Sequence, residues 1–80
     1  MKKLFFIQYA SQNSLIDSRI QQLGAYHQVF NGWIVESFFD AKTIYEKVSV
    51  DYPLMQFLVV EVNKSNYYGR YYKELWELFK

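Results

Sequence analysis

The dipeptide Asn31-Gly32 stands between two runs of β-branched and aromatic residues, at 25–30 and 33–38. Asparagine and glycine both tolerate positive φ, so this pair predicts a type I′ turn that joins two antiparallel strands. In such a hairpin Phe30 would oppose Trp33 and make an aromatic cross-strand contact. Because an isolated hairpin is only marginally stable in water, the rest of the chain must supply further elements to cover it.

Upstream of the hairpin the sequence predicts one strand and one helix. Residues 4–9 form a short apolar and aromatic run that ends in a polar stretch, as strands do before a loop. The segment 14–23 is typical of a helix that begins at Ser14 as N-cap, with Asp17 in the position of a capping-box acid and Gly24 as a left-handed stop. Its apolar residues recur at helical spacing: Leu15, Ile16, Ile20 and Leu23.

Downstream of the hairpin the order is repeated as helix and then strand. Asp40 is placed to cap a second helix, and Phe39 just before it is placed to pack onto Ile44. Pro53 marks the loop after this helix, and 57–62 is an almost unbroken apolar run that indicates a fourth strand. The residues expected on the buried face of the helix are Ala41, Ile44, Tyr45 and Val48.

The order strand, helix, hairpin, helix, strand predicts an α+β fold of the ferredoxin-like βαββαβ kind. Two helices would cover one face of a four-stranded antiparallel sheet. The 80 residues fit one domain, 1–80, in which 63–80 forms a C-terminal tail with a short amphipathic helix at 71–79.

Both faces of the predicted sheet are apolar, although an antiparallel sheet with one wet face normally alternates apolar and polar residues. The chain is 51% hydrophobic and has no cysteine, so neither a single small core nor disulfides account for all of this surface. The second face is therefore expected to be covered by the tail or by a second copy of the chain. The residues assigned to a homodimer interface are Leu58, Val60, Val62 and Trp76.

Composition argues against several classes of function. The net charge is +1, so no global field attracts nucleic acid or a membrane surface. One histidine and no cysteine argue against a structural zinc site, and we expect neither a metal nor a cofactor. The start of the chain lacks a signal-peptide cleavage site and no run of about 18 apolar residues occurs, which favours a cytoplasmic protein without a membrane partner.

Two clusters are candidates for ligand binding. The tail segment interleaves aromatic rings with cations, a pattern that can stack on bases and neutralise phosphates, but equally one that can pack a tail over a sheet. Its residues are Tyr67, Tyr68, Arg70, Tyr71 and Lys73. The second cluster is polar and follows strand one, where it serves either as a ligand site or as a plain turn: Gln8, Ser11, Gln12 and Asn13.

The single histidine, His27, has no catalytic constellation around it in the sequence and is interpreted as structural.

Four segments resemble one known family: 4–9 (LFFIQY), 23–26 (LGAY), 32–35 (GWIV) and 58–62 (LVVEV). They are similar to the SinR-like small proteins, relatives of the CRISPR-associated adaptation endonuclease. The resemblance implies a ferredoxin-like fold and a symmetric dimer. Nuclease members of the family carry a metal-binding aspartate just after the tyrosine that ends strand one, and this chain has Tyr9-Ala10 there. An alanine supplies no oxygen ligand, which counts against metal-dependent cleavage.

The sequence therefore predicts a non-catalytic dimeric module that acts by binding a protein, a nucleotide or an oligonucleotide. Two alternatives stay open. One is a metal-dependent nuclease that uses other acids, such as Asp17, Asp40 or Glu61. The other is a small inhibitor or regulator of a host defence system, encoded by a phage or another mobile element.

Overall fold

A computed structural model describes residues 2–10, 15–63, 69–70 and 78. Six elements follow one another along the chain in the order strand, helix, strand, strand, helix, strand. They are β1 (Lys3–Tyr9), α1 (Asp17–Gln21), β2 (Tyr26–Val29), β3 (Gly32–Ser37), α2 (Ala41–Ser49) and β4 (Phe57–Val62). The predicted α+β class is confirmed, whereas the helix predicted at 71–79 lies outside the described residues apart from Leu78.

The four strands form one antiparallel sheet in the order β2-β3-β1-β4. β1 pairs with β3 on one side, where Phe5 lies opposite Val35, and with β4 on the other, where Phe6 lies opposite Val60. Since residues directly opposite one another share a face, the register assigns every strand residue to one of the two faces. β1 and β3 are the central strands, and β2 and β4 are the edges.

One face of the sheet is covered by both helices. Ile16 and Ile20 from the α1 region and Ile44 and Val48 from α2 are fully buried there. The sheet residues they meet alternate along the strands and are Phe5, Ile7, Tyr9, Trp33 and Val35. This helix-covered face contains the larger of two core clusters.

The N-cap prediction for α2 is confirmed. A side-chain oxygen of Asp40 accepts a hydrogen bond from the backbone N–H of Thr43 at 2.8 Å, and Asp40 itself has extended backbone angles. The Lys47 ammonium lies 4.8 Å from the centre of the Phe39 ring. Tyr45, expected on the buried face, is 42% exposed and stacks on Phe57 of β4.

The prediction for α1 was wrong in its bounds. The helix begins at Asp17 with Ile16 as N-cap, and no side chain caps it; Ser14 lies outside the described residues. Its last turn tightens, because Gln22 and Leu23 donate their N–H groups to carbonyls three residues earlier. Leu15, expected on the apolar face, is 58% exposed.

The reason for Gly24 also differs from the predicted helix stop. Its φ of +156° lies far from the left-handed helical region that ends helices. A Cβ at this position would stand 2.0 Å from the carbonyl oxygen of Glu36 in β3. Glycine is therefore required because the backbone after α1 passes directly against the sheet.

The hairpin forms, but one residue earlier than predicted. Val29 pairs with Gly32, so the connecting residues are Phe30 and Asn31, and Trp33 lies opposite Gln28 rather than Phe30. Of these residues only Asn31 has positive φ, at 58°, which excludes a type I′ turn because that turn needs positive φ at both central positions. Trp33 instead meets Tyr26 edge to face, with ring centres 5.5 Å apart.

Candidate interaction surface

The second face of the sheet carries apolar residues along all four strands, and we call it the open face because neither helix covers it. It is defined by the residues that alternate with the helix-covered set: Leu4, Phe6 and Gln8 of β1, His27 and Val29 of β2, Ile34 and Glu36 of β3, and Leu58, Val60 and Val62 of β4. The sequence prediction that both faces of β1 and β4 are apolar is thereby confirmed.

Five residues of the open face pack together, and we call this part its covered end. Leu4 and Ile34 form the second, smaller core cluster, with exposures of 1% and 8%. Leu78 from the tail packs against this cluster together with Phe6, Val29 and Val62. The tail therefore supplies part of the cover that the sequence predicts for this face.

The rest of the β4 side, Leu58 and Val60 with Gln8 of β1 beside them, lies in solvent, and we call it the exposed end. Leu58 and Val60 are each 49% exposed, although both lie inside a strand of the sheet. Gln8, directly opposite Leu58, is exposed as well. A shallow groove of about 450 Å³ runs along this end and is lined by Gln8, Tyr9, Ala10, Gln56, Phe57 and Leu58. Half-exposed aliphatic side chains in a row, beside a groove, are typical of a surface that binds another molecule.

Charge on the open face is sparse and acidic. Glu36, opposite Leu4, lies on this face near its covered end. Several cations elsewhere lie over aromatic rings: Lys2 is 5.4 Å from the ring centre of Phe38, and the guanidinium of Arg19 is 5.0 Å from that of Tyr52. Arg19 also donates to the carbonyl of Val48 at 3.0 Å at the end of α2. These contacts hold cations against the protein's own surface.

A polar network that the sequence did not reveal lies at the edge of the helix-covered core. The Tyr9 hydroxyl donates to the Asp17 carboxylate, and the Trp33 indole N–H lies 3.0 Å from that hydroxyl and 3.1 Å from the carboxylate. Burial and the hydrogen bond to Asp17 raise the pKa of Tyr9 far above its ordinary value near 10. The hydroxyl therefore stays protonated and acts as a donor that holds α1 to the sheet.

The acids proposed for the nuclease alternative serve separate purposes in the structure. Asp17 belongs to the network with Tyr9, Asp40 caps α2, and Glu61 lies 3.8 Å from the ammonium of Lys3. Within the part of the chain that the structure describes, no three histidine, cysteine, aspartate or glutamate side chains are grouped as metal ligands would be. The alternative therefore has no assembled site among these residues.

The remaining predicted site residues fall into two groups. Gln8 and Arg70 are described and exposed. His27 is half-buried and lies opposite Ile34 on the open face. The others lie outside the described residues: Ser11, Gln12, Asn13, Tyr67, Tyr68, Tyr71, Lys73 and Trp76.

The chain has no match among protein-family models, curated proteins or solved structures. The resemblance to the SinR-like proteins therefore stays a prediction. None of the helices in the described segments is both long enough and apolar enough to span a bilayer.

Proposed function

We propose that this protein is a non-catalytic binding module with a ferredoxin-like fold that works as a homodimer. The observation that carries the proposal is the half exposure of Leu58 and Val60 on the last strand of the sheet. The strand order β2-β3-β1-β4 with antiparallel neighbours supports the ferredoxin-like assignment, because two split β-α-β units interleave in this way.

A protein partner fits this surface better than a nucleic acid does. The exposed end of the open face offers aliphatic side chains and an amide, Leu58, Val60 and Gln8, and the strand residues that define this face include no lysine or arginine to attract phosphate. Nucleic-acid surfaces combine cations with exposed rings, and interfaces between proteins have apolar centres with polar rims. A second copy of the chain is a partner that offers such a surface.

Analytical ultracentrifugation of three proteins tests this proposal. We expect the wild type to sediment at twice the 9.7 kDa chain mass at micromolar concentration, and Val60→Glu to weaken dimerisation at least tenfold. Leu54→Glu is the matched control, because Leu54 is 92% exposed in the loop before β4 and belongs to no strand. A wild type that stays monomeric, or an equal effect of both substitutions, would overturn the proposal.

The non-catalytic part of the proposal has its own test. The purified protein, incubated with Mg²⁺ or Mn²⁺ and single- or double-stranded oligonucleotides, should leave them intact relative to a protein-free control. The supporting observation is that the carboxylates of Asp17, Asp40 and Glu61 each have a different partner and are not grouped together. Ala10 has no carboxylate to add. Metal-dependent cleavage that disappears in Asp17→Asn, Asp40→Asn or Glu61→Gln would favour the nuclease instead.

A further inference from the structure

We propose that the two copies join along the outer edges of their β4 strands, which pair antiparallel with Val59 on the two-fold axis and merge two four-stranded sheets into one. This inference rests on the proposed function, since it specifies how the homodimer is built. It names the edge of β4, rather than the stacking of two open faces, as the primary contact.

The hydrogen bonding of β1 determines which groups of β4 point outward. The N–H of Ala10 donates to the carbonyl of Gln56 at 3.0 Å, and the register continues from there along both strands. In an antiparallel pair every second residue bonds to the neighbour, so Leu58, Val60 and Val62 direct their backbone groups toward β1. The residues between them direct their N–H and C=O groups away from the sheet, and these residues are Phe57, Val59 and Glu61.

No strand of the described residues lies beyond β4. Natural sheets protect such edges with prolines, bulges, several charges or very short strands. β4 has none of these apart from Glu61: it is six residues long, contains no proline and pairs with β1 in an unbroken register. The opposite edge, β2, has only four residues. Among the described residues, β4 is therefore the edge better suited to pair with a further strand.

The side chains select one self-pairing register. In the paired edges an odd-numbered residue must lie opposite an odd-numbered residue, and an even-numbered residue opposite an even-numbered one. Any other register would place open-face residues of one copy on the same side of the joined sheet as helix-covered residues of the other. Pairing about Val59 places Phe57 against Glu61 of the second copy, so all three outward-facing residues obtain backbone partners within the strands. Pairing about Val60 would place Phe57 opposite a residue that lies beyond the end of the second copy's β4. Pairing about Glu61 would place two carboxylates opposite each other, which is destabilising.

The same register explains the exposed end of the open face. Leu58 and Val60, each 49% exposed in one copy, become direct cross-strand neighbours of Val60 and Leu58 in the other. In the joined edges Leu58 and Val60 form non-hydrogen-bonded pairs, in which opposite side chains approach most closely. The second copy thus covers the aliphatic residues that Leu78 leaves in solvent.

A proline substitution separates the edge contact from other modes of dimerisation. Glu61→Pro removes an outward N–H, which makes no ladder bond to β1, and proline is tolerated at a strand edge. Glu61→Ala is the matched control, since it removes the same exposed ion pair with Lys3 and keeps the N–H. We expect Glu61→Pro to weaken dimerisation about tenfold or more, and Glu61→Ala to change it less than about threefold.

Cysteine cross-linking tests the register and does not depend on the proline variant folding. The chain has no cysteine, so each introduced thiol reports unambiguously. Under mild oxidation a mixture of Leu58→Cys and Val60→Cys should form the mixed disulfide, because opposite residues lie about 4.5–5.5 Å apart between Cα atoms. Each variant alone should cross-link poorly, since its own copies would be diagonal and about 7 Å or more apart.

The outcomes distinguish this inference from the proposed function. A monomeric wild type would overturn both. A dimer that tolerates Glu61→Pro, with circular dichroism showing an intact fold, would overturn the edge contact and leave the homodimer standing. Efficient cross-linking of Val60→Cys alone would overturn the register about Val59, and failure of the mixed pair to cross-link would overturn the edge contact.

Discussion

The indole N–H of Trp33, in β3, donates to the carboxylate of Asp17 at 3.1 Å and so ties the sheet to the first residue of α1. The hydroxyl of Tyr9, in β1, donates to the same carboxylate oxygen. A five-residue helix without a side-chain cap has little stability of its own. Its position therefore depends on this network and on the burial of Ile16 and Ile20.

Removing the acceptor should destabilise the fold. We expect Asp17→Ala to lower the free energy of unfolding by about 1–3 kcal/mol, because the Tyr9 hydroxyl and the Trp33 indole lose a charged acceptor. Asp51→Ala is the control, because it breaks an exposed ion pair with Arg19 and should cost less than about 1 kcal/mol. Urea denaturation of both variants provides the measurement, and equal losses would contradict the structural role of the network.

The sequence predicted the downstream half of the fold well. β4 was expected at 57–62 and lies at Phe57–Val62, and Asp40 was expected to cap α2 and does. Both predictions depend on local signals, namely an apolar run bounded by polar residues and a side chain that reaches three residues forward. The alternation along β1 and β4 likewise identified the apolar open face, because successive side chains of a strand point to opposite faces of its sheet.

The errors concern residues whose roles are set by distant parts of the chain. The turn was misplaced because Gly32 is needed next to Ile7 of β1 and not in the turn itself. Asp17 was interpreted as a capping residue, since its partners Tyr9 and Trp33 are distant in sequence. The half exposure of Val60 could not be predicted either, because it depends on how far the tail covers the open face.

The raised pKa of Tyr9 predicts a pH dependence of stability. Below its ordinary pKa near 10, Tyr9 is protonated in the folded and unfolded states, so its contribution to stability is complete. Above that pH the unfolded chain releases the proton while the folded chain retains it, and stability falls as pH rises toward the raised folded value. Tyr9→Phe should flatten this fall in denaturation curves recorded across about pH 9–11.5. A Tyr9→Phe variant that loses stability over this range as steeply as the wild type would contradict the prediction.

The cap of α2 should titrate at acidic pH. The hydrogen bond from the Thr43 N–H lowers the pKa of Asp40 below its ordinary value of 3.8. Its contribution is therefore present above that value and is lost as pH falls through the lowered pKa. We expect Asp40→Ala to melt at a lower temperature than the wild type at neutral pH, with a smaller difference in acid. Asp40→Asn, which keeps a capping oxygen, should melt close to the wild type at neutral pH, and thermal denaturation followed by circular dichroism measures all three.

Gly32 should be one of the least replaceable residues of the sheet. A Cβ there would lie 2.2 Å from the carbonyl oxygen of Ile7 and 3.1 Å from the Cα of Gln8, both backbone atoms of the adjacent central strand. The two strands cannot separate at this point without breaking the ladder that continues to Lys3 and Ser37. We expect Gly32→Ala to lower the free energy of unfolding by about 3 kcal/mol or more, as overpacking in a rigid environment does. Gly69→Ala is the matched control, since nothing lies within 4 Å of a Cβ at that position. If chemical denaturation shows equal stability for the two variants, β1 and β3 do not approach each other at Gly32 as the structure describes.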